Sequence, residues 1–253
     1  MRPGPYQFKV TPSGGGSPVG GASIALMPLM HMTGMTHTTP VDTVITENPA
    51  GTYNCAAYFL MPSMGTDYWE LQVTVDGETA TFQLPVGMAM AGNTASFKLK
   101  GQNDNVAGPM GMGSTQRTYY LFRNKLEGMA GSRTFGVFLA ASESMMNMPA
   151  LVVGGTLHDE MNASWTVTTI AVSASTDNGT TWVTGTNNGG AHWEFPNLGG
   201  LPSGTAGHIW VRLFVNGEQK TVGGGTPAGS GSAAAGRAPL RGARVDRADR
   251  RRD

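Results

Sequence analysis

The chain has 253 residues with 17 basic and 17 acidic side chains, so its formal net charge is zero. Charged residues make up only 13% of the chain and glycine occurs 37 times, a composition typical of short strands joined by tight turns. This composition excludes a helical bundle, and the zero net charge excludes general attraction to nucleic acid or to an anionic membrane. The lone cysteine, Cys55, excludes a disulfide framework and paired-cysteine metal or redox motifs.

The charge is unevenly distributed along the chain. Residues 223–253 contain seven arginines and three aspartates, which leaves a net charge of −4 on the residues before them. This segment is rich in Gly, Ser and Ala and has no apolar periodicity, so we expect a disordered tail. No apolar run in the chain approaches the roughly 20 residues that a membrane-spanning helix needs.

The N-terminal third alternates apolar and polar residues in short runs separated by Gly, Pro and Asn turns. The run 68–75, YWELQVTV, is followed by Asp76-Gly77, a pair typical of a two-residue hairpin turn. About seven strands in about 80 residues predict an immunoglobulin-like β-sandwich over residues 6–85. The predicted strands include 6–9, 19–30, 41–46, 52–60, 68–75 and 78–84.

A second β-sandwich unit is predicted over residues 117–222, after a Met- and Gly-rich connection at 86–116 that contains one strand. The whole chain is therefore predicted to be all-β, with two immunoglobulin-like sandwich units and a disordered tail. The predicted strands of the second unit include 118–123, 134–141, 165–174, 180–184 and 208–215.

Three local signals within the second unit predict turns. Asn216-Gly217 is a hairpin pair, and Glu143–Met148 is expected to form a short helical turn. Residues 175–182, STDNGTTW, have the spacing of an Asp-box, whose aspartate caps backbone N–H groups. A propeller needs several copies and this chain has one, so the motif is expected to be structural.

The chain contains 16 methionines, and they are densest at 27–37, MPLMHMTGMTH, where two histidines stand among them. Thioether sulfur is a soft, neutral ligand and imidazole is intermediate, so this set suits Cu(I), or copper cycling between Cu(I) and Cu(II), and suits magnesium, calcium or structural zinc poorly. We therefore predict a copper site in a Met/His loop. The predicted ligands are Met30, His31, Met32, Met35, His37, Met61 and Met64.

Other interpretations of the same residues stay open. Methionine often fills hydrophobic cores, and Met27, at a strand position, is expected to pack rather than to bind metal. The Met/His loop is alternatively an exposed segment that binds nothing. If it does bind copper, protonation of its histidines should weaken binding, whereas thioether ligands are insensitive to pH.

Part of the chain is similar to a known family. A strand ending in a Met/His segment, IALMPLMHMTGMTH, is followed by GTYNCAAYFLMPSMG and by the tryptophan strand YWELQVTV. These elements resemble the YtkA-like domain, and the resemblance covers about residues 6–85. It implies an immunoglobulin-like sandwich in exported proteins, often linked with copper or cytochrome-oxidase maturation, and it implies no catalytic residue.

The second unit contains weaker candidates. Met145, Met146 and Met148 repeat the Met-rich pattern, as do Met110 and Met112, and they form either a second soft-metal site or the cap of a hydrophobic core.

His192, beside Trp193, is the best isolated histidine candidate for a metal ligand. The histidines His158 and His208 are each expected to lie on the surface or to be satisfied within the core.

No catalytic motif is present, so we do not expect an enzyme. The leading hypothesis is an exported copper carrier, buffer or metallochaperone, periplasmic or extracellular, whose export signal lies outside the given sequence. Its expected partner is a copper-receiving or oxidase-assembly protein, and it is either monomeric or a homo-oligomer. The alternative is a non-catalytic adhesion or accessory module that binds a protein or a glycan. A third hypothesis uses Tyr58, Trp69 or Trp193 as stacking platforms for carbohydrate.

Overall fold

The computed structural model describes residues 4–88, 96–107, 113–127, 133–144, 146–199, 208–221 and 239–241. Over these residues the protein is all-β and contains no helix, which confirms the predicted class. The strands of the N-terminal unit are β1 (Gly4–Val10), β2 (Ser13–Gly14), β3 (Ser17–Pro18), β4 (Ile24–Met32), β5 (Met35–Thr38), β6 (Thr46–Glu47), β7 (Tyr53–Phe59), β8 (Tyr68–Val75) and β9 (Glu78–Leu84).

The remaining strands belong to the second unit. They are β10 (Ser96–Ala107), β11 (Ser114–Glu127), β12 (Arg133–Ala141), β13 (Thr156–His158), β14 (Ser164–Thr166), β15 (Ile170–Ser175), β16 (Val183–Thr184), β17 (Thr186–Asn187), β18 (His192–Leu198), β19 (His208–Val215), β20 (Glu218–Gln219) and β21 (Pro239–Arg241).

The N-terminal unit contains two larger antiparallel sheets, with strand orders β5-β4-β8-β9 and β1-β7-β6, and a separate β2-β3 pair. In β8 the buried positions Trp69, Leu71 and Val73 alternate with more exposed ones, the period-2 pattern of a strand with one face in a core. Asp76 and Gly77 both have positive φ, so the predicted hairpin turn joins β8 to β9. This sheet positions the Met/His segment.

The second unit contains a sheet of order β10-β11-β12-β18-β17 and another of order β16-β15-β19-β20, with β21 pairing β19. Its core is built from aromatic and branched aliphatic side chains on both sheets, such as Phe135, Phe195 and Val211. The predicted hairpin turn at Asn216-Gly217 is present, with positive φ at both residues.

Strand β7 belongs to both cores. Ala57 and Phe59 pack with Trp69 in the N-terminal core, whereas Ala56 and Tyr58 pack in the core of the second unit. Successive side chains of a strand point to opposite faces, so one buried strand contributes side chains to both cores. The two units are therefore packed together through a shared strand.

Two local expectations differ from the structure, and a third concerns residues that lie mostly outside the described part of the chain. Ser96–Ala107, within the predicted connection, is an edge strand of the second unit because it pairs with β11. Glu143–Met148 is a bend rather than a helical turn in its described residues. Most of the predicted disordered tail, 223–253, lies outside the described residues, and Pro239–Arg241 pairs with β19.

Candidate metal site

The segment predicted as a Met/His loop forms a β-hairpin. β4 runs to Met32 and β5 begins at Met35, so only Thr33 and Gly34 lie between the strands. Gly34 has a φ of +81°, a left-handed conformation that glycine adopts without strain. The loop prediction was wrong because the segment continues the pairing of β4 with β8 as far as His31, and β5 then pairs back onto it.

The register of this hairpin shows which predicted ligands share a face. Met30 lies opposite His37, and Met32 lies opposite Met35. Directly opposite residues project to the same side of an antiparallel pair, as do alternate residues along a strand. These four residues therefore share one face, called here the inner face because Met30 and His37 are buried. His31 projects from the outer face.

A hydrogen bond fixes one ring nitrogen of His37, and the other ring nitrogen has no hydrogen-bond partner among the described residues. The residue is 4% exposed, and its Nδ1 donates a hydrogen bond to the carbonyl oxygen of Thr38 at 2.8 Å. In the neutral ring Nε2 then carries the free lone pair. Nε2 is buried and has no hydrogen-bond partner among the described residues. Metal-binding histidines are commonly oriented in this way, with the second nitrogen fixed by a carbonyl oxygen.

Trp69 lies beneath this group. It is opposite Met30 on β8, and its ring centroid is 5.3 Å from that of His37, with the ring planes at 88°. The indole Nε1 donates a hydrogen bond to the carbonyl oxygen of Met61 at 3.0 Å, which holds the Met61 backbone near the inner face. Trp69 is not among the residues that the sequence predicts for the metal site. The period-2 alternation of β8 was the signal that places it on the buried face.

The predicted methionine ligands range from buried to exposed. Met30 is fully buried beside Trp69, and Met32 and Met61 are partly buried against the same cluster. Met35 is 49% exposed at the turn end of the hairpin. The methionines of the inner face thus extend from the buried core to the solvent-exposed turn. Met64 is exposed in the turn that follows Met61.

His31 has a different environment on the outer face. Its ring stacks on Tyr68 with the centroids 4.7 Å apart, and its Nε2 lies 3.6 Å from a carboxylate oxygen of Glu70. That distance is too long for a hydrogen bond but allows an ion pair when the histidine is protonated. The structure therefore separates the two histidines that the sequence places six residues apart.

The donor set of the inner face contains no carboxylate or thiolate. Among the described residues, no group of three or more His, Cys, Asp or Glu side chains is suited to hold a metal ion. Hard cations such as magnesium and calcium need oxygen ligands, usually carboxylates. The inner face instead combines thioethers with one imidazole, a set that favours a soft ion.

Cys55 is not part of this site. The thiol is buried, and its Sγ donates to the carbonyl oxygen of Tyr53. Burial raises its pKa to about 11, with a smaller contribution from the negative charge of Asp42. The thiol is therefore protonated at neutral pH and is a poor metal ligand.

The other histidine candidates are engaged elsewhere. His192 Nε2 lies 2.6 Å from a carboxylate oxygen of Asp42, and its Nδ1 lies 2.6 Å from the Asn124 side chain, so both ring nitrogens have partners. His158 lies 3.6 Å from Glu143. Met110, Met112 and Met145 lie outside the described residues, as does the side chain of His208.

The carbohydrate-stacking hypothesis is wrong for the residues on which it was based. Trp69, Tyr58 and Trp193 are all buried, so none of them presents a ring face to a sugar. Each occupies an inward position of a strand, where a large aromatic ring gains most by leaving water.

Comparison of the chain with protein-family models, with curated proteins and with solved structures found no match. The resemblance to the YtkA-like domain therefore stays a prediction. In the described part of the chain, no helix is long and apolar enough to cross a membrane.

Proposed function

We propose that the protein is a copper-binding protein that carries, buffers or delivers Cu(I) through the inner face of the β4–β5 hairpin. The observation that carries this proposal is the Nε2 atom of His37, which is buried on the same face as Met30 and Met32 and has no hydrogen-bond partner among the described residues. A buried acceptor left unpaired costs free energy, about 1–3 kcal/mol. A bound soft cation would offset that cost.

The chemistry of the surrounding groups favours Cu(I) over other metal ions. Thioethers from Met30, Met32 and Met35 share the face with His37, and none of these groups carries a negative charge. Neutral sulfur ligands match a soft monovalent ion, while one imidazole raises affinity. The hydrogen bond from Nδ1 to Thr38 fixes the ring so that little orientational freedom is lost on binding.

Carriage of an ion also requires its release. Met35 stands exposed at the turn, and Met32 lies between it and the buried Met30. Ligands supplied by a partner protein would replace the outermost thioether first, and exchange would proceed inward toward His37. His31, on the outer face beside Glu70, is not needed for this exchange.

The setting of this activity follows from the same chemistry and from the resemblance to the YtkA-like domain. Methionine sites suit an oxidising compartment, where cysteine ligands are lost to disulfides. We therefore place the protein in the periplasm or outside the cell, with a copper-receiving or oxidase-assembly protein as its partner and no enzymatic activity of its own.

The test is an anaerobic titration with Cu(I) in competition with a chromophoric chelator. The variant Met32→Leu/Met35→Leu/His37→Ala removes inner-face ligands, and His31→Ala is the matched control on the outer face. We expect the inner-face variant to lose at least about 10-fold in affinity and the control to bind as the wild type does. Equal affinity in all three proteins would refute the proposal.

A separate observation favours the alternative, a module that binds a partner protein. A cavity of about 530 Å³ opens between β1 and β9, and Phe8, Leu71, Val73 and Phe82 line it. Both strands lie at sheet edges. An extended peptide with alternating apolar residues would add to such an edge and fill the cavity. Binding of such a peptide, with no retention of Cu(I), would support this second function.

A further inference from the structure

A groove lies at the junction of the two units, on the side of β4 away from His37. Its volume is about 360 Å³, and Met27 and Thr38 of the hairpin line one side of it. Met146 and Met148 of the second unit line the other side. The described residues around this junction groove include three methionines and no ionisable side chain.

Two of these methionines are unexpectedly exposed. Met27 is 47% exposed and Met146 is 50% exposed. The sequence predicts that Met27 packs in the core, but Pro28 is the buried residue of that pair, and Met27 falls on the outer face. Met148 is partly buried against the core of the second unit. Methionines from two distant segments thus line one solvent-accessible groove.

Hydrogen bonds hold both walls in place. The backbone N–H groups of Glu143 and Ser144 donate to the carbonyl oxygen of Asn147, and the Asn147 side chain donates to the Glu143 carboxylate at 2.5 Å. On the opposite wall, the Thr38 hydroxyl donates to the carbonyl oxygen of Pro28 at 2.7 Å. The backbones that carry the methionines are therefore fixed, while the long side chains remain adaptable.

We propose that the junction groove is a second soft-metal site, in which the thioethers of Met27, Met146 and Met148 bind one monovalent ion, Cu(I) or Ag(I). Three neutral sulfur donors without a carboxylate select against hard cations. The site is separate from the inner face, because Met27 and Met30 are an odd number of residues apart on β4 and project to opposite sides. The ion would link the two units.

The experiment uses the full chain with ¹³C-labelled methionine methyl groups, titrated with Ag(I), which does not change oxidation state. We expect the methyl signals of Met27, Met146 and Met148 to shift together. The same shifts should occur in the variant Met32→Leu/Met35→Leu/His37→Ala, in which the inner face is disabled. The experiment therefore distinguishes absence of metal binding at the inner face from absence of metal binding in the junction groove.

A matched pair of variants tests the stoichiometry. Met27→Leu/Met146→Leu/Met148→Leu keeps the apolar volume and should bind one Ag(I) fewer per chain than the wild type. Met161→Leu, which replaces an exposed methionine outside the groove, should bind the wild-type number. Unmoved methyl signals for Met27 and Met146 at saturating Ag(I) would overturn the proposal, as would an unchanged stoichiometry in the triple variant. The methyl signals of the wild type decide the question even if the triple variant fails to fold.

Discussion

The ring of Tyr58 on β7 lies parallel to the ring of Phe138 on β12, with the centroids 3.9 Å apart and 5° between the planes. Tyr58 comes from the N-terminal unit, yet both rings are buried in the core of the second unit. This contact joins the two units, whose facing segments line the junction groove. Ring stacking adds to the free energy gained from the buried area.

We expect Tyr58→Ala to lower the free energy of unfolding by about 3–5 kcal/mol, because it leaves a cavity in a closely packed core. Urea denaturation measures this change. Tyr58→Phe is the control, since it keeps the stacked ring and should cost much less. A loss below about 1 kcal/mol for the alanine variant would show that the units do not depend on this contact.

A substitution in the β4–β5 turn tests the proposed metal site without changing any of its proposed ligands. Gly34 has a φ of +81°, and a Cβ added there would meet no atom within 4 Å, so any penalty comes from the backbone conformation alone. We expect Gly34→Ala to destabilise the hairpin by about 1–2 kcal/mol and to weaken Cu(I) binding. Gly34→Asn should be milder because asparagine tolerates this conformation. Equal effects of the two substitutions would contradict the explanation.

The Asp-box turn makes a prediction about pH. The Asp177 carboxylate accepts hydrogen bonds from Ser175 Oγ and from the N–H groups of Thr180 and Thr181. The backbone N–H of Thr181, followed by the Ser175 hydroxyl, lowers the pKa of Asp177 below its usual range. Because the folded pKa is lowered, the stabilisation is complete above the unfolded value, about 3.9, and is lost as the pH falls toward the folded value.

We therefore expect Asp177→Asn to lower Tm at pH 6, with a difference from the wild type that shrinks between pH 4 and pH 2. Thermal unfolding followed by circular dichroism at several pH values measures this. Asp67→Asn serves as an aspartate control at another turn. A Tm difference that stays constant across the range would mean that the carboxylate charge does not stabilise the turn.

Cys55 should react slowly with thiol reagents in the folded protein. Its pKa is raised to about 11, so little thiolate exists at pH 8, and the buried side chain must be exposed before it reacts. We expect a disulfide reagent such as DTNB to modify Cys55 only slowly until denaturant is added. A rate in native buffer equal to that in denaturant would refute this.

The raised pKa of Cys55 also has a consequence at high pH. The folded chain holds the thiol proton more tightly than the unfolded chain does, so this contribution is complete below about pH 8.5 and is lost as the pH rises toward 11. Cys55→Ala removes this titration, and its stability should fall less than that of the wild type above pH 9.

Local patterns in the sequence were enough to predict several elements. The alternation in YWELQVTV predicts β8 with its buried Trp69, and Asp76-Gly77 predicts the turn into β9 because both residues adopt positive φ at low cost. The density of methionine and histidine at 27–37 indicates that the hairpin carries soft thioether groups together with imidazole groups. These features depend on neighbouring residues and on a period of two, which a sequence displays directly.

Only the tertiary structure decided which of these side chains can act together. The register set by the Thr33-Gly34 turn places His37 on the face of Met30 and Met32, and a shift of one residue would move it to the face of His31. Met27 and Met146 line one groove although they are far apart in the chain, and Tyr58 is buried in the core of the second unit. The sequence by itself determined the all-β class and the soft-donor composition. The positions of the donor side chains relative to one another depend on long-range packing. The free energy that fixes these positions comes from contacts between segments that are distant in the sequence, and no local sequence pattern reveals such contacts.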